Sequence, residues 1–501
     1  MSNIKISNLS FKYSDSSENI FNNLNLDLDS SWKLGLVGRN GRGKTTFLNL
    51  LRGKLQGTGA IKANLEFNYF PLYVENEEQL TLSALEEQVQ FDRWELEREL
   101  NLMQVDANLI WQPFNTLSGG EQTKILLALS FINKDAFPLI DEPTNHLDEE
   151  SRKQVVRYLQ KHSQGYIVVS HDRDFLNQVT NHVLAIENTE IHLYQGNYAS
   201  YEDTKEKRDK FNREKNEKLR GQIKTLNASR QRIKGYSLQS ENNKKASAHK
   251  NEIHADINKG FFGHKAAKIM KRSKNIERRM NKDIQDRKGL IRNVESVPEL
   301  EMNFQPNYHS TLLETRHLDL KVQDKKLFKD LNLIVKKRGI VFLEGKNGSG
   351  KSTFLKSVLN KNIDVTYQGI LSLTNGLKIS YLPQNFVEYS GTLAEFVQKE
   401  HLSYEKMLNM LRKMGFPRTS FETRIEEMSM GQQKRVAIAK SLVEEADLYL
   451  WDEPANYLDV FNQDQLIDVL KKVKPAMLLV EHDEYFISQV ASKRIKLKVD
   501  D

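Results

Sequence analysis

Two glycine-rich stretches, one in each half of the chain, could bind the same ligand. Gly38–Thr45 reads Gly-x4-Gly-Lys-Thr, and Gly345–Ser352 reads Gly-x4-Gly-Lys-Ser. Each follows an apolar, strand-like run and opens a helical one. Glycines in such a loop let backbone N–H groups wrap a β-phosphate. Lys44 or Lys351 adds a point charge at the β- and γ-phosphates, and the hydroxyl of Thr45 or Ser352 can ligate Mg²⁺. Asn40, Gly41, Gly43 and Thr46 complete the first loop, and Asn347, Gly348, Gly350 and Thr353 the second. By itself the pattern says nucleoside triphosphate and no more.

Three further features recur in the same order. An apolar strand from Phe137 ends in Asp141 and Glu142, and another ends in Asp452 and Glu453. The first acid of each pair suits Mg²⁺, and the second is a candidate general base for water attack on a γ-phosphate. His171 and His482 each follow a strand, where an imidazole can polarise that phosphate. Ser118, Gly119 and Gly120 open a helix as an N-cap with free N–H groups, a reading that an ordinary capped helix also fits. Ser429 and Gly431 repeat it, with Met430 in place of the first glycine. The register is kept, with 307 residues between the lysines and 311 between the glutamates, so the chain is a tandem duplication.

The elements that must position these groups read as strands over Ile4–Tyr13 and Leu24–Leu28, a β-rich piece ending at Pro71, and a helix from Ser83 to about Met103. Pro138 removes a ladder donor from its strand, so a local bulge is expected there. The fold class is α/β: two domains, 1–200 and 301–501, each a parallel-sheet core with a helical subdomain.

Between them, residues 201–300 carry 27 Lys and Arg against 14 Asp and Glu, while the whole chain is only +7. A basic segment therefore joins two mildly acidic halves, which points to a polyanionic partner. Leu219, Leu226 and Ile233, then Ile269, Ile276 and Met280, predict a long antiparallel helical hairpin with a tip loop at 237–262. An arm of about 35 residues would reach about 50 Å. Lys271 and Arg272 suit phosphate contacts with RNA. At the tip stand Lys244, Lys245, Lys250, Phe261 and Phe262, where the aromatic pair would stack on a base or form a small local core. There are no cysteines, which excludes disulfides, zinc ribbons and thiol catalysis. No leader peptide is visible and no apolar run approaches the ~18 residues a membrane span needs, so a cytoplasmic protein is expected.

In order and spacing, these motifs resemble the Walker A, signature, Walker B and switch elements of ABC ATPase cassettes. Two cassettes with such a linker resemble the ABC-F family, most of all its antibiotic-resistance ribosomal protection members (Lsa/Vga-type). The resemblance implies that ATP is sandwiched between the Walker A of one cassette and the signature of the other. Site one would join Lys44, Thr45, Asp141, Glu142 and His171 to Ser429 and Gly431, with Tyr13 stacking on adenine. Site two would join Lys351, Ser352, Gln384, Asp452, Glu453 and His482 to Ser118, Gly119 and Gly120. Thr45 with Asp141, and Ser352 with Gln384 and Asp452, would surround Mg²⁺. It further implies a monomer whose own domains pair and that binds the 70S ribosome at the E site, against 23S rRNA and P-site tRNA. There it would protect against lincosamides, pleuromutilins and streptogramin A. Departures from the family pattern are Leu72 where the second half has Gln384, Met430 in the signature, and Val322 where the first half has Tyr13. Two sites of unequal rate are expected, site one the slower. Rival readings are a housekeeping factor that relieves stalled ribosomes, a soluble subunit of a membrane transporter, and a DNA-structure ATPase.

Overall fold

The computed structural model describes residues 3–14, 19–144, 147–250, 258–291, 298–323, 325–346, 348–360, 365–386 and 388–498, without the side chains of 236–250, 258–267, 269–270 and 419. The chain forms two compact units, Met1–Tyr201 with Val297–Asp501, and Glu202–Ser296.

In the first half, a six-stranded sheet runs in the order Glu66–Phe70, Ala136–Asp141, Tyr166–Val169, Lys33–Val37, His182–Glu187, Glu190–Gln195. All neighbours pair in parallel except the last two. Tyr166–Val169 is buried at every residue, as a strand covered on both faces must be. The second half repeats the plan with five parallel strands ordered Ile379–Leu382, Leu448–Asp452, Ala476–Val480, Gly339–Glu344, Lys493–Lys496. A three-stranded antiparallel sheet accompanies each, built on Asn3–Phe11 and on Thr311–Val322. In both halves the glycine loop, the acidic pair and the histidine follow the carboxyl ends of adjacent strands, where open α/β sheets place their ligands.

Pro138 causes no bulge. Its strand keeps an unbroken register against Glu66–Phe70, and pairing with Tyr166–Val169 begins only at Leu139, so Pro138 precedes the stretch flanked on both sides. The expected helix from Ser83 to Met103 is instead two, Thr81–Glu86 and Arg93–Leu102. Asp92 and Glu95 close a capping box, which starts a new helix rather than continuing the old one.

Glu99, 2% exposed, ties the helical subdomain to the core of the first half. It accepts from Tyr158 Oη at 2.7 Å, lies 3.1 Å from His162 Nε2 and pairs with Arg98 at 2.8 Å. The corresponding residues of the second half are Met410, Val469 and Val473, an apolar contact. Glu99→Ala should lower stability by about 2–3 kcal/mol, because it leaves buried donors unpaired, and thermal melting should show it. Glu99→Met with Tyr158→Phe and His162→Leu, which replaces the polar contact by apolar groups of similar volume, should melt close to the parent.

The second unit contains most of the long helix Tyr198–Lys250 and the helix Asn258–Gly289. The first helix continues to Lys250, so the expected loop does not begin at 237, and 251–257 lie outside the described residues. Its more sheltered residues include Asn212, Asn216, Leu219, Ile223, Leu226, Arg230 and Ile233, a three-four spacing that makes a seam. Arg230 Nη1 donates to Asn281 Oδ1 at 2.8 Å, and Arg220 shares a groove with Ile291, so the helices run antiparallel. In the second helix the seam passes through Glu277, Met280 and Ile284, not through Ile276, which is 42% exposed. Ile284 is buried because it lies four residues beyond Met280 on the same face. Among the described residues, no helix is long and apolar enough to cross a membrane.

Candidate active sites

Each glycine loop turns from a central strand into a helix, Lys44–Leu51 or Lys351–Val358. Gly43 stands at φ +95°, and a Cβ there would meet Ile20 and Phe21, so the turn requires glycine. Lys44 Nζ donates to Gly38 O at 2.9 Å and Asn40 Oδ1 at 3.1 Å, and Lys351 Nζ to Gly345 O at 2.6 Å. Burial lowers the Lys44 ammonium, opposed by the charges of Glu142, Asp459 and Asp141. Thr46 takes a hydrogen bond with Tyr13 Oη at 3.0 Å, which anchors the Tyr13 ring while leaving it 43% exposed. Gly348, Gly350, Ser352 and Thr353 line the second cleft, and Asn347 lies outside the described residues.

The acidic pairs end their strands in a kink. Glu142 and Glu453 both adopt positive φ, +53° and +50°, and each backbone N–H donates to the neighbouring strand, at Val169 O or Val480 O. The kink turns each glutamate out of the strand toward the switch histidine. His171 Nε2 lies 3.3 Å from Glu142 Oε1, and His482 Nε2 lies 3.5 Å from Glu453 Oε1. Thr45 Oγ1 donates to Asp141 Oδ2 at 2.9 Å, and Tyr69 Oη donates to the same oxygen at 3.2 Å. Asp452 is fully buried with neither carboxylate oxygen hydrogen-bonded. Burial pushes it up to about 6; the Ser352 hydroxyl is near enough to oppose this but closes no hydrogen bond with it. A buried carboxylate beside a hydroxyl at the phosphate loop is a donor set that fits Mg²⁺.

The two glutamates differ. Burial pushes Glu142 up to about 7, and the charge of Asp141 adds to this. Burial also acts on Glu453, but His482 and Gln384 outweigh it and hold the carboxylate below its ordinary value. Asn456 Nδ2 adds a hydrogen bond at 2.6 Å. In the first half Leu72 replaces the glutamine and packs against the apolar core. A base with a raised pKa is lost as pH falls through that value. With Glu453→Gln, so that only site one works, turnover should rise with pH about a midpoint near 7, and Leu72→Gln should move the midpoint down. A flat profile between about pH 6 and 8 contradicts this assignment.

The halves meet at site one. A cleft of about 700 Å³ is lined by Asn40, Gly41, Thr45, Asp141, Glu142 and His171 from the first half and by Ser429, Met430, Gly431 and Arg435 from the second. Ser429 caps its helix in a capping box with Gln432. A Cβ on Gly431 would lie 3.1 Å from Tyr457 O of its own half and 3.7 Å from Asn40 Nδ2 of the first, so a larger residue would crowd the seam. Asn40 N donates to Asp459 Oδ2 at 2.6 Å across the seam. Asp459 had no role in the motif reading, although its repeat counterpart Asp148 follows the first acidic pair at the same distance.

Site two is arranged differently. Its cleft holds Lys351, Ser352, Gln384, Glu453 and His482, and the first half supplies Thr144, Leu147 and Arg152. Ser118 caps its helix with Glu121, but Ser118, Gly119 and Gly120 are not among the residues lining this cleft. Gly120 packs instead toward Ser151 and Leu147.

In the linker, Lys271 and Arg272 are exposed. Lys244, Lys245, Lys250, Phe261 and Phe262 fall within the two helices, and their side chains lie outside the described residues.

Comparison with known proteins agrees with this geometry. The profile of the ABC transporter family matches residues 21–145 and 328–456. The chain is similar to the Ribosome protection protein VmlR of Bacillus subtilis (strain 168), 25% identical over 498 residues, covering 98% of this chain and 86% of that protein. It is similar to the uncharacterized ABC transporter ATP-binding protein YfmM of the same organism, 28% identical over 545 residues, covering 98% of both. Among solved structures, a complex of an archaeal ribosomal stalk protein with the archaeal ribosome recycling factor aABCE1 shares the fold. Its TM-score is 0.63 at 20% identity, covering 98% of this chain and 88% of that one.

Proposed function

Because the chain belongs to the ABC family, in its F branch, and is an ATP-hydrolysing enzyme, we propose that its two ATP sites control a linker that acts on the ribosome. In the ATP-bound form the basic helices would enter the E site along 23S rRNA and P-site tRNA. The tip at 237–262 would then protect the peptidyl transferase centre from lincosamide, pleuromutilin and streptogramin A drugs, and hydrolysis would release the protein. Such a protein would work as a monomer in the cytoplasm. The observation that carries this reading is a strongly basic antiparallel helix pair that lies, in the sequence, between two halves whose nucleotide motifs touch. The nearly full-length likeness to a relative whose name is ribosome protection protein supports it.

At each site the glycine loop and lysine would bind the triphosphate, and at site one the signature helix of the second half would add N–H groups to the γ-phosphate. Glu453, kept ionised by His482, Gln384 and Asn456, would take the proton of the attacking water, and Glu142 would do so less readily. Mg²⁺, held by Thr45 with Asp141 and by Ser352 with Asp452, would offset the phosphate charge.

Deleting 237–262 tests the role of the tip. The account expects drug protection in cells to disappear while ATP turnover is kept within about twofold. Retained protection would contradict it.

A further inference from the structure

The halves are repeats, yet the seam between them does not obey the repeat. Arg152, in the helix Glu149–Lys161, donates from Nη1 to the backbone oxygen of His482 at 3.2 Å and pairs with Asp172 at 2.9 Å. Arg173 extends Nη2 to Asp464 Oδ1 at 2.5 Å and Val460 O at 3.4 Å, with its guanidinium 4.5 Å from the Tyr485 ring centre. Both side chains are largely buried, 19% and 8% exposed. The repeat equivalents, 311 residues on, are Gln463 and Glu484, and both bond within their own half. Gln463 Nε2 donates to Ala455 O at 3.4 Å, and Glu484 pairs with Arg494 at 2.9 Å. The clasp is one-sided, from the first half onto the helix Val460–Val473, the loop of His482 and the helix after it.

Charge makes the clasp necessary. Asp172 and Asp483 cap the helices Arg173–Val179 and Glu484–Val490, one from each half, and accept from Phe175 N and Phe486 N. Burial, and next the charge of Asp172, push the Asp483 carboxyl up to about 7, while Arg152 pulls it down. Arg152 is the cation that offsets two like charges brought together by closure.

We infer that Arg152, supported by Arg173, is a positioning residue for site two: from the first half it fixes the peptide that carries His482. The imidazole lies 3.5 Å from Glu453, so its placement governs that carboxylate. A shift of about 1 Å in such a group can cost about a hundredfold in rate. Site two is thus completed by contact between the halves, even though the signature residues Ser118–Gly120 do not line it. Arg152 also lines the cleft of site one and pairs with Asp172 beside His171, but it donates to the peptide of His482 and not to that of His171, so site one depends on it less.

This inference rests on the proposed roles of Glu142 and Glu453, and the test separates the two. Turnover is measured in Glu142→Gln, where site two works alone, and in Glu453→Gln, where site one works alone. The double-glutamine protein serves as blank, and its silence checks the base assignment independently. Arg152→Gln, which copies the repeat, should lower kcat of site two about tenfold or more with KM within about twofold, and lower kcat of site one several-fold less, through the lost pairing with Asp172. Arg152→Lys should recover part of the loss, since an ammonium keeps the charge but loses the fork. Thermal melting of each variant identifies any that unfold. An equal fall at both sites, or an unchanged site two, would overturn the inference.

Discussion

Exchanging both Glu142 and Glu453 for glutamine is expected to cut ATP turnover by about three orders of magnitude while leaving ATP bound. Glutamine keeps the shape and the contact with the histidine but cannot accept the proton of water. The phosphate-binding atoms, Lys44, Lys351 and the glycine loops, are untouched, so affinity should change little. The single exchanges should be unequal. Glu453 has donors from Asn456 and Gln384 beside it and stays ionised, whereas the first half has Leu72 at the glutamine's position and Glu142 is pushed up to about 7. Glu453→Gln should therefore cost more at neutral pH than Glu142→Gln. Steady-state turnover of the three variants checks this, and equal losses from the single variants would remove the inequality between the sites.

The second large effect is expected from the linker. Lys271, Arg272, Arg278 and Arg279 are all exposed on the second long helix. Exchanging the four for glutamate should weaken ribosome binding by about two orders of magnitude at physiological salt, because each phosphate contact contributes through counterion release. The parent's binding should fall steeply with added salt, and the variant's slope should be shallower. ATP turnover without ribosomes should stay within about twofold, since none of these residues lines either ATP cleft. Sedimentation across a salt series measures both quantities. Unchanged binding would show that the basic surface is a solvated face without a polyanionic partner.

The nucleotide chemistry was legible because it is local. A glycine loop, an acid pair at a strand end and a histidine after a strand are each written in a few adjacent residues. Their common edge follows from parallel strands with helical crossovers. Features that depend on the partner half were not legible. Asp459 reaches Asn40 across 419 residues and Arg152 reaches His482 across 330, and no spacing rule encodes such pairs. The placing of Ser118, Gly119 and Gly120 at site two followed from the family resemblance, and these residues do not line its cleft. Gln463 and Glu484 opposite Arg152 and Arg173 show where the symmetry of the repeat is broken in the sequence itself. The helix boundaries failed for a simpler reason. Periodicity continues through 87–92, but Asp92 and Glu95 cap a fresh helix, and the polar residues after Ser237 read as loop although the helix runs to Lys250. Ile276 was assigned to the seam from a spacing of seven, whereas the helices pack on Met280 and Ile284.

The central claim is that nucleotide state sets whether the basic helix pair is engaged with the ribosome. The Glu142→Gln, Glu453→Gln protein, loaded with ATP and sedimented with 70S ribosomes, tests it most directly. The account predicts near-stoichiometric co-sedimentation with ATP and loss of it with ADP. A trapped protein that stays in the supernatant with ATP present, or that binds equally in ADP, would contradict it.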